Sequence, residues 1–286
     1  MRFSFVLNVI AQDADHVAAK LRGFGAVEWL APGKAFDIGF DGDSKAVLKA
    51  ARDAAARADI NVMAAQGRRK KLLVSDMEST IIDVECLDAL AEIAGIGPKI
   101  AAITERAMKG EIPFEGALRE RVGLLKGLPL TALEQVLKER VRLIPGAREL
   151  VSTMKAHGAH TLLVSGGFTY FTARVAEMAG FDAHQSNTLN IDGEVLAGTV
   201  GEPILGREAK LEALERSLAQ FGLDASEALA IGDGANDLAM IQRAGLGVAY
   251  HAKPVVAAAA GASIAHNDLK AVLYLQGYRD EEIVDG

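Results

Sequence analysis

The 286-residue chain is predicted to be an α/β protein, a parallel sheet covered by helices, with a helical insertion over one end and a small α+β unit in front. Three observations predict this. From residue 70 onward, short apolar runs alternate with helical stretches, the pattern of a parallel sheet covered on both faces. Residues 2–65 read instead as strand, helix, two strands, helix and strand. Finally, the first two strands of the larger part end at Asp76 and Ser165, much further apart than the roughly 30 residues of a simple βαβ unit. The expected bounds are therefore 1–67 for the small unit and 70–286 for the large one, with the insertion at about 84–143.

In chain order, "RFSFVLNVIA" is a strand and "DADHVAAKLRGFG" a helix with Val17, Leu21 and Phe24 on one face. "VEWLA" and the alternating "AFDIGFDG" are strands. "DSKAVLKAARDAAARA" is helical by its alanine content, with Asp43 or Ser44 as N-cap, and "INVMAA" is the last strand of the unit. This βαββαβ order is the ferredoxin-like arrangement. "RRKK" at 68–71 reads as a solvated linker. "KLLVSD", "HTLLVSGG", "EALAIGDG" and "LGVAYH" follow as strands ending in small or acidic residues, with helices such as "GREAKLEALERSLAQFG" between them. In the insertion, "VECLDALAEIA", "PKIAAITERAMKG", "FEGALRERVGLLKG" and "LTALEQVLKERV" are helices, placed to sit over the strand ends as a cap. "TLNIDGEVLAGTV" carries Asp192-Gly193, the signature of a β-hairpin turn.

Composition narrows the function classes. A net charge of −7 argues against a general nucleic-acid binder, which needs a basic face for phosphates. The single cysteine, Cys86, permits no intrachain disulfide and points to a reducing compartment. "MRFSFVLNVIAQDAD" lacks the apolar core of a signal peptide, and no stretch approaches the roughly 20 apolar residues that span a membrane. A cytoplasmic protein with neither nucleic acid nor membrane as partner is expected. The six histidines show no ligand spacing.

Four clusters can carry chemistry: Asp76 to Thr80, Ser165-Gly166-Gly167, Lys210 early in a helix, and "GDGANDLAM" at 232–240. Taken alone, each has an ordinary reading as a turn former, a cap or a solvated lysine. Together, at the carboxyl ends of parallel strands where such folds place their sites, they suit phosphoryl transfer. A carboxylate can attack phosphorus and form an aspartyl phosphate. Hard oxygen ligands can hold Mg²⁺. A hydroxyl, backbone N–H groups and a lysine can bind the phosphoryl oxygens.

"SDMESTIIDVECLDALAE", "TERAMKGEIPFEGALRERVGLLKG", "VSGGFTYF" and "AIGDGANDLAMIQRAGLGVAYHAKP" resemble the haloacid-dehalogenase-like (HAD) hydrolase superfamily, and within it the phosphoserine phosphatases, from about Lys71 to the end. The resemblance implies a Rossmann-like core and hydrolysis of O-phospho-L-serine to serine and phosphate, the last step of a serine pathway. It makes Asp76 the nucleophile and a Mg²⁺ ligand. Glu78 becomes the general acid, then base, and a ligand through its carbonyl. Asp233 is the other carboxylate ligand, with Asn236 and Asp237 supporting the metal shell and the acidic loop. Ser165, Gly166 and Lys210 bind the phosphoryl group. Glu85 pairs with the substrate ammonium, Arg121 with its carboxylate, and Phe114 packs beside them. A zwitterion needs one anionic and one cationic partner in any case. The N-terminal unit resembles ACT-type regulatory modules, and reads equally as a dimerisation or structural domain, so a homodimer is among the expected assemblies.

The chain departs from the family at Glu78, where aspartate is usual. Glutamate can do the same acid–base work. Its extra methylene displaces the carboxylate by about 1.5 Å, and a misplacement of roughly 1 Å can cost about a hundredfold in rate. Either the local backbone compensates, or turnover is slow, or the aspartyl phosphate forms but hydrolyses poorly. The alternative of a different class is an amino-acid-sensing protein with an impaired phosphatase domain. Activity on another small phosphomonoester is the further alternative.

Overall fold

The computed structural model of the chain describes residues 3–286. The first unit runs β1 (Phe5–Ile10), α1 (Ala14–Lys20), β2 (Val27–Ala31), β3 (Ala35–Phe40), α2 (Ser44–Ala54) and β4 (Asp59–Ala64). Its sheet is antiparallel in the order β2-β3-β1-β4, which is the expected ferredoxin-like topology. Arg2, where the expected first strand begins, lies outside the described residues. Asp43 is the N-cap of α2, accepting from the amides of Lys45 and Ala46. Leu7, Val9, Phe36, Ile38 and Ile60 bury one sheet face under Ala14, Ala18, Leu21 and Ala51 of the helical layer.

The larger unit is a six-stranded parallel sheet in the order β12-β11-β10-β5-β6-β7. The chain enters at its centre with β5 (Leu72–Ser75), then runs through the insertion helices α3 (Cys86–Ile93), α4 (Gly97–Met108), α5 (Phe114–Gly123) and α6 (Thr131–Glu139). It continues through α7 (Ala147–Ala156), β6 (His160–Phe168), α8 (Thr169–Ala179), β7 (Ala183–Asn187), the hairpin β8 (Leu189–Asp192) and β9 (Val195–Val200), and α9 (Glu208–Phe221). It then crosses to the far side of β5 with β10 (Ala228–Gly232), α10 (Leu238–Arg243), β11 (Leu246–Tyr250), α11 (Pro254–Ala259), β12 (Ala262–Ile264) and α12 (Ala271–Leu275). Every residue of β5, β10 and β11 is buried, as continuous apolar runs in a doubly covered sheet require. Strand order reverses beside β5, so the crevice at its carboxyl end is where a ligand site is expected.

The Asp192-Gly193 hairpin forms, with Gly193 at φ +60°. It joins the cap, because Leu130 N–H donates to Glu194 O and Leu196 N–H to Leu128 O.

Residues 68–71 are only in part the solvated linker expected: Arg69 and Lys71 are exposed, but Lys70 is buried and Arg68 half-buried. The Arg68 guanidinium pairs with buried Asp37 and donates to the carbonyls of Tyr274 and Leu275. Buried Lys70 donates to Gly67 O and Ser226 O, Arg69 pairs with Glu282, and Lys71 with Glu227. A charge run looks solvated in sequence, but long stems can lie along a surface while their heads reach distant acids and carbonyls. The joint therefore belongs to an interface. Asp37, Asn8 and Asn61 lie opposite one another across β3, β1 and β4. Asn8 donates to Asp37 and to Tyr274 O, and Asn61 exchanges two bonds with the backbone of Ser263. Ile10, Leu30, Ala35 and Met63 beside this row continue the core of the larger unit.

Candidate active site

At the end of β5, Asp76 N–H continues the ladder by donating to Ile231 O at 3.0 Å. The chain then turns sharply, with the amides of Ile81 and Ile82 both returning to Met77 O. Ser79 sits in this turn at φ +56°, an uncommon conformation for a residue with a Cβ. The turn brings Asp76 and Glu78 to the same crevice and leads directly into cap helix α3.

The β10–α10 loop brings in Asp233 and Asp237, and the first turn of α9 brings in Lys210. Oxygen atoms of Asp76, Asp233 and Asp237 lie within 4.8 Å of one another. Lys210 Nζ reaches Asp76 Oδ1 at 2.7 Å and Asp237 Oδ1 at 2.5 Å, both in buried surroundings. Asp237 Oδ2 also accepts from Gly234 N–H at 3.0 Å, which shapes the loop that carries Asp233.

Two of these three carboxylates, Asp76 and Asp237, pair directly with the one ammonium. Burial raises the Asp76 carboxyl well above its ordinary range, with Lys210 pulling it down and Asp237 pushing it up. Burial, Asp237 and Glu85 raise Asp233 to about 6. Burial alone would lower Lys210, but Asp76 and Asp237 outweigh it and hold its pKa above the ordinary value. The crowded hard oxygens are under-compensated, and a divalent cation is the group they fit.

Glu78 shows how its extra methylene is accommodated. Its Oε1 accepts from Cys86 N–H at 2.7 Å, at the start of α3, and its Oε2 lies 3.4 Å from Ser165 Oγ. Burial, then the nearby charge of Glu85, raise its pKa to about 7, while the Cys86 amide works in the opposite direction. A Cβ at Gly167 would stand 2.9 Å from Glu78 Oε2 and 3.0 Å from Ser165 Oγ, so a larger residue there would push these two side chains aside. Ser165 accepts from Gly167 N–H at 2.8 Å, which leaves its own proton free to donate.

From the cap, the Phe114 ring rests on the Ser165-Gly166 loop, with Cζ 3.4 Å from where a Gly166 Cβ would be. Exposed Glu85 is held by Ser79 Oγ at 2.9 Å. Arg121 is half-buried, donates to Ala117 O and lies in the field of Asp88, Glu78 and Glu85, although burial lowers its pKa. Asn236 is exposed at the edge of the acidic loop. Asp76, Asp233, Asp237 and Lys210 thus form one cluster, Glu78 meets Ser165, and Phe114 lies on Gly166, whereas Arg121 donates to Ala117 and Thr104 within the insertion. Sequence reasoning missed the orienting role of Ser79 and the Cys86 amide as a partner for Glu78. No side-chain pattern marks a backbone donor, and the serine looked like part of a polar turn.

Residues 70–245 match the haloacid dehalogenase-like hydrolase family. The chain is 45% identical over 211 residues to a phosphoserine phosphatase of Albidiferax ferrireducens, covering 72% of this chain and 89% of that one. It is 44% identical over 209 residues to the phosphoserine phosphatase of Haemophilus influenzae, covering 73% of this chain but 66% of that longer one. The unliganded crystal structure of a probable phosphoserine phosphatase from Vibrio cholerae superposes with a TM-score of 0.77 at 35% identity, over 96% of this chain and 89% of that one. With a parallel sheet whose switch point gathers the acids, a lysine and a Ser-Gly-Gly loop, and with more than half its length matching, the chain belongs to the haloacid dehalogenase-like hydrolases.

Proposed function

We propose that the chain is a Mg²⁺-dependent phosphatase hydrolysing O-phospho-L-serine to L-serine and phosphate, as the last step of serine biosynthesis in the cytoplasm. The observation that supports the reading is buried Asp76 paired with Lys210 beside Asp233 and Asp237, in a turn that also carries Glu78 with its contact to Ser165, near Glu85 and Arg121 of the insertion. The relatives named phosphoserine phosphatases support the same substrate.

Asp76 attacks phosphorus, and the serine–oxygen bond to phosphorus breaks as the aspartyl phosphate forms. Glu78, with a pKa of about 7, carries a proton near neutral pH and gives it to the departing serine oxygen. As a carboxylate it then takes a proton from the water that attacks the aspartyl phosphate, which releases phosphate and restores Asp76. Ser165 Oγ–H, the Gly166 backbone and Lys210 bind the phosphoryl oxygens as negative charge shifts onto them. Asp76, Asp233 and the Glu78 carbonyl would hold Mg²⁺, which when bound offsets repulsion between nucleophile and phosphate. Residues 70–286 form the phosphatase proper, and 1–67 are its structural or ACT-like regulatory arm.

Phosphate release from L-phosphoserine, with Mg²⁺ and then with excess chelator, tests the reading against a panel of other phosphomonoesters. Preference for phosphoserine, lost on chelation and restored by Mg²⁺, is expected. No release by folded protein in Mg²⁺ would reject it.

A further inference from the structure

β6 and β7 pair in parallel through Leu162↔Ala183, Leu163↔His184 and Val164↔Gln185, and next at Phe168↔Asn187. Between those points Ser165, Gly166 and Gly167 face the single residue Ser186, so the loop is a bulge in β6. A bulge of this kind interrupts the ladder and leaves backbone groups to be paired in another way.

Asn187, the last residue of β7 and only 2% exposed, supplies the pairing. Its Nδ2 donates to Gly166 O at 2.8 Å. That carbonyl belongs to the same peptide plane as the Gly167 N–H that donates to Ser165 Oγ at 2.8 Å. Asn187 thus holds one edge of the peptide whose other edge holds the serine hydroxyl. On its opposite side, Asn187 Oδ1 accepts from Leu205 N–H at 2.7 Å, and Nδ2 also reaches Leu205 O at 3.3 Å. Leu205 lies in the lead-in to α9, which carries Lys210 in its first turn. One buried amide therefore ties together the two segments expected to grip a phosphoryl group.

We propose that Asn187 is a positioning residue for the phosphoryl-binding half of the site: it sets the Ser165 hydroxyl through the 166–167 peptide and fixes that loop against the segment leading to Lys210. This rests on the reading of Ser165, Gly166 and Lys210 as the phosphoryl cradle. A buried amide that served stability alone would not select one half of the crevice.

The test uses the full chain with Asn187→Leu, which keeps the branched shape but makes no hydrogen bond, and Asn187→Ser as a smaller variant if the first does not fold. Inorganic phosphate and, separately, L-serine are titrated calorimetrically in Mg²⁺, with melting temperature as the check on folding. Phosphate is expected to bind about tenfold more weakly, because a buried carbonyl is left unpaired and the loop is freed. L-serine, held by Glu85 and Arg121 on the cap side, is expected to bind as in wild type. Unchanged phosphate affinity in a folded variant overturns the proposal, and so does equal weakening of both ligands. If wild-type protein binds phosphate but neither binds L-serine nor hydrolyses phosphoserine, the substrate reading fails, while the phosphate comparison still decides the role of Asn187.

Discussion

At Glu78 the side chain is one methylene longer than the family's usual aspartate, and both of its oxygens are used. Oε1 rests on the Cys86 amide and Oε2 faces Ser165. A shorter carboxylate leaving the same turn cannot span both contacts. Replacing Glu78 with Asp is therefore expected to lower kcat for phosphoserine by roughly ten- to a hundredfold, the scale of a misplacement of about 1 Å. A rise in kcat would show instead that glutamate impairs this enzyme. Glu78→Gln, which keeps the length but removes the titrating group, should cost about a hundredfold or more in kcat. Ser79 is a separate case. It adopts a left-handed backbone and spends its hydroxyl on Glu85. In Ser79→Ala the Glu85 carboxylate, proposed to face the substrate ammonium, loses its tether, and a several-fold rise in KM with a nearly unchanged kcat is expected from steady-state kinetics.

Among the elements, the cap is held from two directions. Helix α3 leaves the catalytic turn directly, and the β8–β9 hairpin clasps residues 127–130 from the far side. Gly198 in β9 marks how close that clasp is. It has φ +77°, and a Cβ there would stand 2.7 Å from Lys126 Cβ. Gly198→Ala should strain the backbone and push the hairpin off the cap, at a cost of about 1–3 kcal/mol in urea unfolding. Because the same hairpin begins two residues beyond Asn187, its displacement should also raise KM. A variant as stable and as active as wild type would show that the clasp is loose in solution.

For the whole molecule, the question is whether the N-terminal unit is an appendage or part of the body. The interface combines apolar residues continuous with the main core and a polar row that is paired except at Asn8 Oδ1. Asp59 accepts from the amides of Ala265 and His266 and from Asn267 Nδ2, and Asp37 is held by Arg68. Arg68→Ala would leave buried Asp37 without its cationic partner, held only by the Asn8 amide, and Leu275 O without its side-chain donor. A loss of about 3–5 kcal/mol is expected, the usual result of removing one partner of a buried pair. Wild type should unfold in one cooperative transition followed both by Trp29 fluorescence, from the first unit, and by circular dichroism. Two separated transitions in wild type would show that the units are energetically independent.

The amino-acid sequence by itself determined the two-unit plan, the strand ends that bear Asp76 and Asp233, and the cap helices, whereas Ser165, expected at a strand end, lies in the bulge inside β6. Apolar periodicity and turn chemistry are local properties, and parallel strands with helical crossovers must bring those ends to one edge. It also displayed Glu78 as the departure from the family. Only the tertiary structure decided what that departure meets, because the Cys86 amide becomes a partner once the turn at Ser79 folds and α3 docks. It likewise turned "RRKK" from a solvated run into the pinned joint of an interface, since its acids and carbonyls come from Asp37, Ser226, Tyr274 and Glu282, far away in the chain. Asn187 follows the same rule: an asparagine at a strand end reads as a turn former until a bulge in the neighbouring strand leaves it a carbonyl to hold. Partners set by distant backbone carry no local periodicity, and burial rather than spacing makes them matter.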